Sequence, residues 1–197
     1  MKAVALLFLV ACGGKLPETR YYQLAEPKAA PSQRAGVPLV IEPLVTDPAY
    51  DDERIVYRVT PYRLDYYNYH RWTSAPGMMV SNYLERAFEH SGKFSAVTHE
   101  PNAAAPITLG GRVVAIEEVD QSKTKWVGRI VLELTASDSG GKVLWSQQYE
   151  EIEPLPSQSP EGLARALSTA LERIALRAVP VISVLAEEQS KVRQARR

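Results

Sequence analysis

The sequence predicts an α+β fold: an antiparallel β-sheet with two α-helices packed on one face, preceded by a signal peptide and a tether. Three observations carry this reading. Apolar and polar residues alternate with period two over residues 53–60 and 125–136, which marks half-buried strands. Apolar residues recur at helical spacing after Pro76 and again after Pro160. The strands neither alternate regularly with helices nor separate from them, so sheet-with-helices layering is the simplest arrangement.

The first residues read as an address. Met1-Lys2 supplies a positive charge and residues 3–11 a short apolar run, as in a secretory signal. That run is far below the ~20 apolar residues of a spanning helix. Cys12 follows directly behind Leu9 and Ala11, which resembles the bacterial lipobox. It is the single cysteine, so an exported chain has no intramolecular disulfide to make with it. A thioether to a diacylglycerol gives it a use, and two or more acyl chains anchor a protein stably. The expected organisation is a signal peptide over 1–11, a lipidated Cys12 opening a Pro/Ala-rich tether over 12–36, a domain over 37–190 and a basic tail over 191–197. A plain secreted protein with an incidental cysteine is the alternative.

Within the tether, Tyr21-Tyr22-Gln23-Leu24 has the character of a short edge strand. Residues 37–45 are expected to form the first strand of the domain, at an edge because Pro38 and Pro43 lack backbone donors. Ile55, Tyr57 and Val59 alternate with Arg54, Val56 and Arg58. The aromatic-rich stretch 64–72 follows a turn at Pro61-Tyr62, so residues 53–72 read as a hairpin. Six of the ten tyrosines lie between Tyr50 and Tyr69, as either a mixed core-and-rim sheet or a contact surface.

Thr73 or Ser74 is expected to cap a helix with Pro76 in its first turn and Gly92 at its end. Val80, Tyr83, Leu84, Ala87 and Phe88 share its apolar face. A short strand over 94–98 precedes a three-stranded meander. Its first strand carries Gly110-Gly111 as a bulge signal, and Asp138-Ser139-Gly140-Gly141 turns the second into the third. Ser159 and Pro160 open the second helix, with Leu163, Leu167, Leu171 and Ile174 on its stripe. Pro180 is expected to kink or end that helix, because its ring meets the carbonyl of Leu176. Residues 181–188 continue as a second helical piece, and Lys191, Arg193, Arg196 and Arg197 form a solvated tail.

Several chemistries are missing. Lys and Arg total 23, as do Asp and Glu, so the charge balance gives no footprint for nucleic acid. No Gly-rich segment has phosphate-loop spacing, and Val143 follows Lys142 where Ser or Thr is required. His70, His90 and His99 make no metal-spaced pair and have no cysteine beside them. No G-x-S-x-G elbow is present. Asp51-Asp52 and Glu117-Glu118 are paired acids, but neighbours on a strand point to opposite faces, so Glu117 and Glu118 form no dyad. Both pairs are expected to be solvated charge. The chain is expected to be no enzyme and to carry no cofactor beyond the covalent lipid on Cys12.

The order of these elements resembles a known family. A lipobox is followed by Tyr21-Tyr22-Gln23-Leu24, then Val40-Ile41-Glu42-Pro43-Leu44, Ile55-Val56-Tyr57-Arg58, and Tyr66-Tyr67 leading to Arg71-Trp72. Pro76, a helix, Gly92-Lys93-Phe94 and a Leu109-Gly110-Gly111 strand complete it. This is similar to the ABC-type transport auxiliary lipoproteins, which include the lipoprotein partner of the paraquat-inducible MCE system. The resemblance implies a lipid-anchored, periplasm-facing docking or assembly component of a transporter that moves lipid between inner and outer membranes. Its MCE-domain protein, permease and ATPase would be separate chains. Gly13, where an aspartate would favour inner-membrane retention in enteric bacteria, points to the outer membrane.

On that reading the aromatic hairpin meets the partner, through Arg54, Tyr57, Arg58, Tyr66, Tyr67, Arg71 and Trp72, since aromatics and arginine supply interface hot spots. Core burial is the competing role for Tyr57 and, more strongly, for Trp72. A lipid-binding module, and an outer-membrane assembly or export lipoprotein outside MCE transport, are the alternative functions. A homo-oligomer is compatible with any of them.

Overall fold

The computed structural model of the chain describes residues 17–28 and 34–195. The signal peptide, Cys12, Arg196 and Arg197 lie outside the described residues. Among those described are nine strands and two helices: β1 (Arg20–Tyr22), β2 (Leu39–Ile41), β3 (Val45–Thr46), β4 (Arg54–Thr60), β5 (Arg63–Trp72), α1 (Pro76–His90), β6 (Val97–Thr98), β7 (Ile107–Ser122), β8 (Lys125–Asp138), β9 (Val143–Pro154) and α2 (Pro160–Ala195). The fold is α+β, as the patterning predicts.

Strand β7 is the spine. One edge pairs with β8 antiparallel along its length, and β9 continues the meander. The other edge takes β2, β3 and β4 in turn, all parallel, at Val40↔Thr108, Val45↔Arg112 and Tyr57↔Glu118. The sheet is therefore mixed, where a purely antiparallel one was expected. Parallel pairing needs a long return connection. The β5–α1–β6 stretch supplies it. Pro38, Pro43 and Pro48 cut residues 37–48 into short pieces, but they fall just outside β2 and β3. So β2 pairs on both sides, with β6 and β7, and does not sit at an edge.

The helix ends show local rules at work. Pro76 holds the preceding residue in an extended conformation, and Ala75 (φ −53, ψ 137) is the N-cap of α1, without a side-chain bond. Thr73 and Ser74 are thus not the cap. Gly92 follows the last turn with φ 67, as a C′ glycine should. In α2 the Ser159 hydroxyl accepts the Gly162 N–H at 3.0 Å, the expected cap.

Pro180 neither ends α2 nor starts a second piece. The helix runs through it for 36 residues. Leu176, whose carbonyl loses its donor, and Pro180 are both exposed, so water can take up that carbonyl. The buried stripe continues past the proline through Ile182 and Ala186, both fully buried, and packing outweighs the local defect. Arg193, expected in a solvated tail, lies in α2 and donates to the carbonyls of Ala105 (2.7 Å) and Ala103 (3.1 Å).

The two glycines of β7 are not its bulge. The register shifts between Val113 and Ala115. Gly111 instead has φ 150, and a Cβ there would stand 2.0 Å from the Glu133 carbonyl oxygen.

Both faces of the central strands are buried. Ile116, Ile130, Leu132 and Leu134 lie on the helix side. Val127 and Val131, which the period-two pattern of residues 125–136 puts on the face of Lys125 and Arg129, are only 3% and 1% exposed. They share the opposite face with Arg129, where buried Tyr50, just ahead of β4, hydrogen-bonds down onto β7.

Candidate functional site

The hairpin β4–β5 joins the rest of the sheet through a short ladder. β4 registers with β7 at only Tyr57↔Glu118 and Arg58↔Val119. The two acidic neighbours Glu117 and Glu118 sit at this joint, one on each face, and both are buried, at 0% and 1% exposure. The expectation that they are solvated fails because both faces are covered here. Their neighbours Val113, Ala115, Ile116 and Val119 carried the signal: two acids inside an apolar strand with arginines in the facing strands.

Glu117 is a clasp. Its Oε1 accepts from Arg58 Nε at 3.0 Å and from Arg129 Nη1 at 2.8 Å. Its Oε2 accepts the Tyr50 hydroxyl at 2.7 Å, and Arg58 Nη2 donates to that same hydroxyl at 3.0 Å. Arg129 also donates to Glu150 at 2.7 Å. Burial, together with the Glu117 carboxylate, pushes the Tyr50 phenol up to about 12. One buried charge therefore has two guanidinium partners and a phenol, the satisfied state that a buried carboxylate requires.

Glu118 has different company. Tyr67 donates its hydroxyl to Glu118 Oε1 at 3.0 Å, and the Tyr57 ring lies 5.0 Å from the Tyr67 ring. Burial pushes the Glu118 carboxyl up to about 7; the Tyr67 hydrogen bond opposes the rise and the Asp120 charge adds to it. Burial raises Asp120 as well. The prediction that Glu117 and Glu118 point to opposite faces holds, and each is wired to its own layer.

The other hairpin candidates divide by burial. Trp72 is 1% exposed and belongs to the core. Arg54 pairs with Asp52 at 2.8 Å and lies over the Tyr66 ring, 4.4 Å from its centre. Tyr66 donates to the Ala49 carbonyl at 3.1 Å. Arg71 is half-buried beside them, opposite Arg54 in the ladder. So Arg54, Tyr66 and Arg71 form one group, Tyr57 and Tyr67 a second, and Arg58 joins Glu117. Tyr62, at the turn, is 99% exposed.

A groove of about 310 Å³ runs between α1 and α2, with Tyr83, Ala87, Leu176 and Val179 among its walls and His90 and Lys93 on its rim. Among the described residues no three His, Cys, Asp or Glu side chains converge as metal ligands, and no helix is long and apolar enough to cross a membrane.

The family described as the ABC-type transport auxiliary lipoprotein component matches residues 22–179. The chain belongs to this family. The match begins at the last residue of β1 and closes one residue before Pro180, so the whole joint around Glu117 and Glu118 of this auxiliary lipoprotein lies within it. The chain is similar to the crystal structure of a Xanthomonas campestris protein of the DUF330 family. That likeness has a TM-score of 0.75 at 21% identity, over 87% of this chain and 99% of the other. It is also similar to the crystal structure of an uncharacterised protein, with a TM-score of 0.69 at 14% identity over 84% and 99% of the two chains. At these identities the two likenesses establish the fold. No curated protein matches the chain.

Proposed function

We propose that this auxiliary lipoprotein is a docking or assembly component of an MCE-type ABC transport system that moves lipid between the inner and outer membranes. A lipid on Cys12 holds it in the bacterial envelope, facing the periplasm, with Gly13 favouring the outer membrane. The observation that carries this reading is the family match across residues 22–179. The missing phosphate-binding loop fits it, since the ATPase is then a separate chain.

The eight residue steps from Cys12 to Arg20 span at most about 29 Å. Strand β1 pairs with the end of β5 at Arg20↔His70 and Tyr21↔Arg71. The Arg54–Tyr66–Arg71 group is therefore within short reach of the anchor, and it is the part of the hairpin assigned to the partner.

Two measurements test this. Palmitate labelling of the wild type, lost along with membrane retention in Cys12→Ser, supports the anchor; an unlabelled wild type refutes it. Recovery of an MCE-domain protein from detergent extract should fall when Arg54 and Arg71 are replaced by alanine. Equal recovery by the folded double variant refutes the docking surface. The groove between α1 and α2 favours a second reading, a lipid-binding module, which requires phospholipid to co-purify with the chain.

A further inference from the structure

Two buried carboxyl oxygens in the described structure have no hydrogen-bond donor: Glu118 Oε2 and Asp120 Oδ1. They belong to side chains two positions apart on β7, which therefore point to the same face. The groups around them come from four elements. Strand β4 contributes Tyr57 and β5 contributes Tyr67, whose hydroxyl is committed to Glu118 Oε1. Asp65 lies opposite Tyr57 in the hairpin and is paired with Arg63 at 2.9 Å. Strand β8 places Gly128 opposite Glu118 and Trp126 opposite Asp120. Helix α2 packs on Gly128 through Leu163, Ala166 and Leu167. Among the described residues no lysine or arginine is hydrogen-bonded to those two oxygens, in contrast with Glu117 on the other face, which holds two arginines.

A buried carboxylate without a cation is costly, and two side by side resist ionising together. A single proton removes both problems, because a protonated carboxyl donates to its neighbour and the remaining charge is shared. We propose that Glu118 and Asp120 form a single-proton site, and that the proton fastens the hairpin β4–β5 to the spine strand β7. The position makes the proton structural. Glu118 stands at one of the two registered positions that join β4 to β7, and its other oxygen holds Tyr67 of β5. Losing the proton places a second negative charge at that joint, on the face that has no counter-charge. The upward displacement of both carboxyls by burial agrees with this geometry.

The site predicts a hairpin that loosens as pH rises from mildly acid to neutral while the β7–β8–β9 meander stays closed. The test is hydrogen–deuterium exchange by mass spectrometry on the full chain in detergent, with rates corrected for base catalysis. Between pH 5 and pH 7, peptides spanning 54–72 should lose protection at least about tenfold and then level off above neutrality, since each unit between the open hairpin's ordinary carboxyl value and the raised value of the closed one multiplies opening by about ten. Glu118→Gln is neutral at every pH and still donates to Asp120, so its hairpin should keep constant protection. Equal pH dependence in wild type and variant overturns the proposal. Should the variant fail to fold, carbon-13 titration of the wild-type Glu118 carboxyl decides. A midpoint near neutrality supports the site, and one at the ordinary carboxyl value overturns it.

Discussion

Arg129 reaches Glu117 from the position directly opposite it in the β7–β8 ladder, with Nη1 2.8 Å from Oε1. Glu117 is fully buried and the Arg129 side chain is 28% exposed, so the pair is screened far less by salt than a surface pair. Truncating one partner of a buried pair leaves an under-compensated charge. Arg129→Ala should therefore destabilise the fold by about 3 kcal/mol. Urea unfolding at low and high salt reads this out: the midpoint should drop by the same amount in both. A loss that disappears at high salt would mean that the pair behaves as a surface bridge.

The pH dependence of stability should run against the usual carboxylate trend. The Glu118 pKa is raised from 4.5 to about 7 in the fold, so the folded state keeps a proton that the unfolded chain gives up between those values. The stabilisation is fully present below the ordinary value and is lost as pH rises through about 7. Allowing for solvent screening on the half-buried Asp120 side, the loss is about 2 kcal/mol. Tyr67→Phe removes the hydrogen bond that opposes the rise, so the midpoint should move further up. Urea midpoints measured from mildly acid to mildly alkaline pH, for wild type and Tyr67→Phe, check both the slope and its displacement.

Two glycines give a contrast with a common substitution. Gly111 has φ 150 and a would-be Cβ only 2.0 Å from the Glu133 carbonyl oxygen across the ladder. Gly141 has φ 80 with nothing within 4 Å. Gly141→Ala should cost about 1–2 kcal/mol, the left-handed penalty alone. Gly111→Ala must also push apart β7 and β8, so it should cost more than about 4 kcal/mol. Thermal melts of the two variants, side by side, measure the difference.

Local chemistry was legible in the sequence where a single stretch of chain decides it. The hairpin turn at Pro61-Tyr62, the Ser159 cap and the Gly92 end depend on neighbours in sequence, and all are found in the structure. Partner choice between distant segments was not legible. Nothing near Leu39 announces that β2 runs parallel to both β6 and β7. The roles of Glu117 and Glu118 depend on Arg58, Tyr67 and Arg129, which come from three other strands. An acidic pair reads as solvent-facing until both faces of its strand are known to be covered. The tyrosine cluster stayed ambiguous for the same reason: Tyr50 is buried under Arg58, whereas Tyr62, twelve residues later, is almost wholly exposed.

Pro180 gives the last prediction, because α2 retains a helix-breaking residue at an exposed position of an otherwise continuous 36-residue helix. Its ring removes the hydrogen bond to Leu176 and crowds that carbonyl, a defect usually worth about 3 kcal/mol. Water on the exposed face recovers part of this, and the buried stripe through Ile182 and Ala186 holds the helix together beyond it. Pro180→Ala restores the donor without touching the core, so it should raise stability by about 1–2 kcal/mol, after allowing for the greater freedom of the unfolded variant chain. Pro180 also lines the groove between α1 and α2, next to Leu176 and Val179. A variant that is more stable yet recovers less partner or less co-purified phospholipid would place the proline in the groove's function. A variant that is less stable would show that the ring contributes packing that outweighs the missing hydrogen bond. Urea unfolding and the recovery assay, run on the same preparation, separate these outcomes.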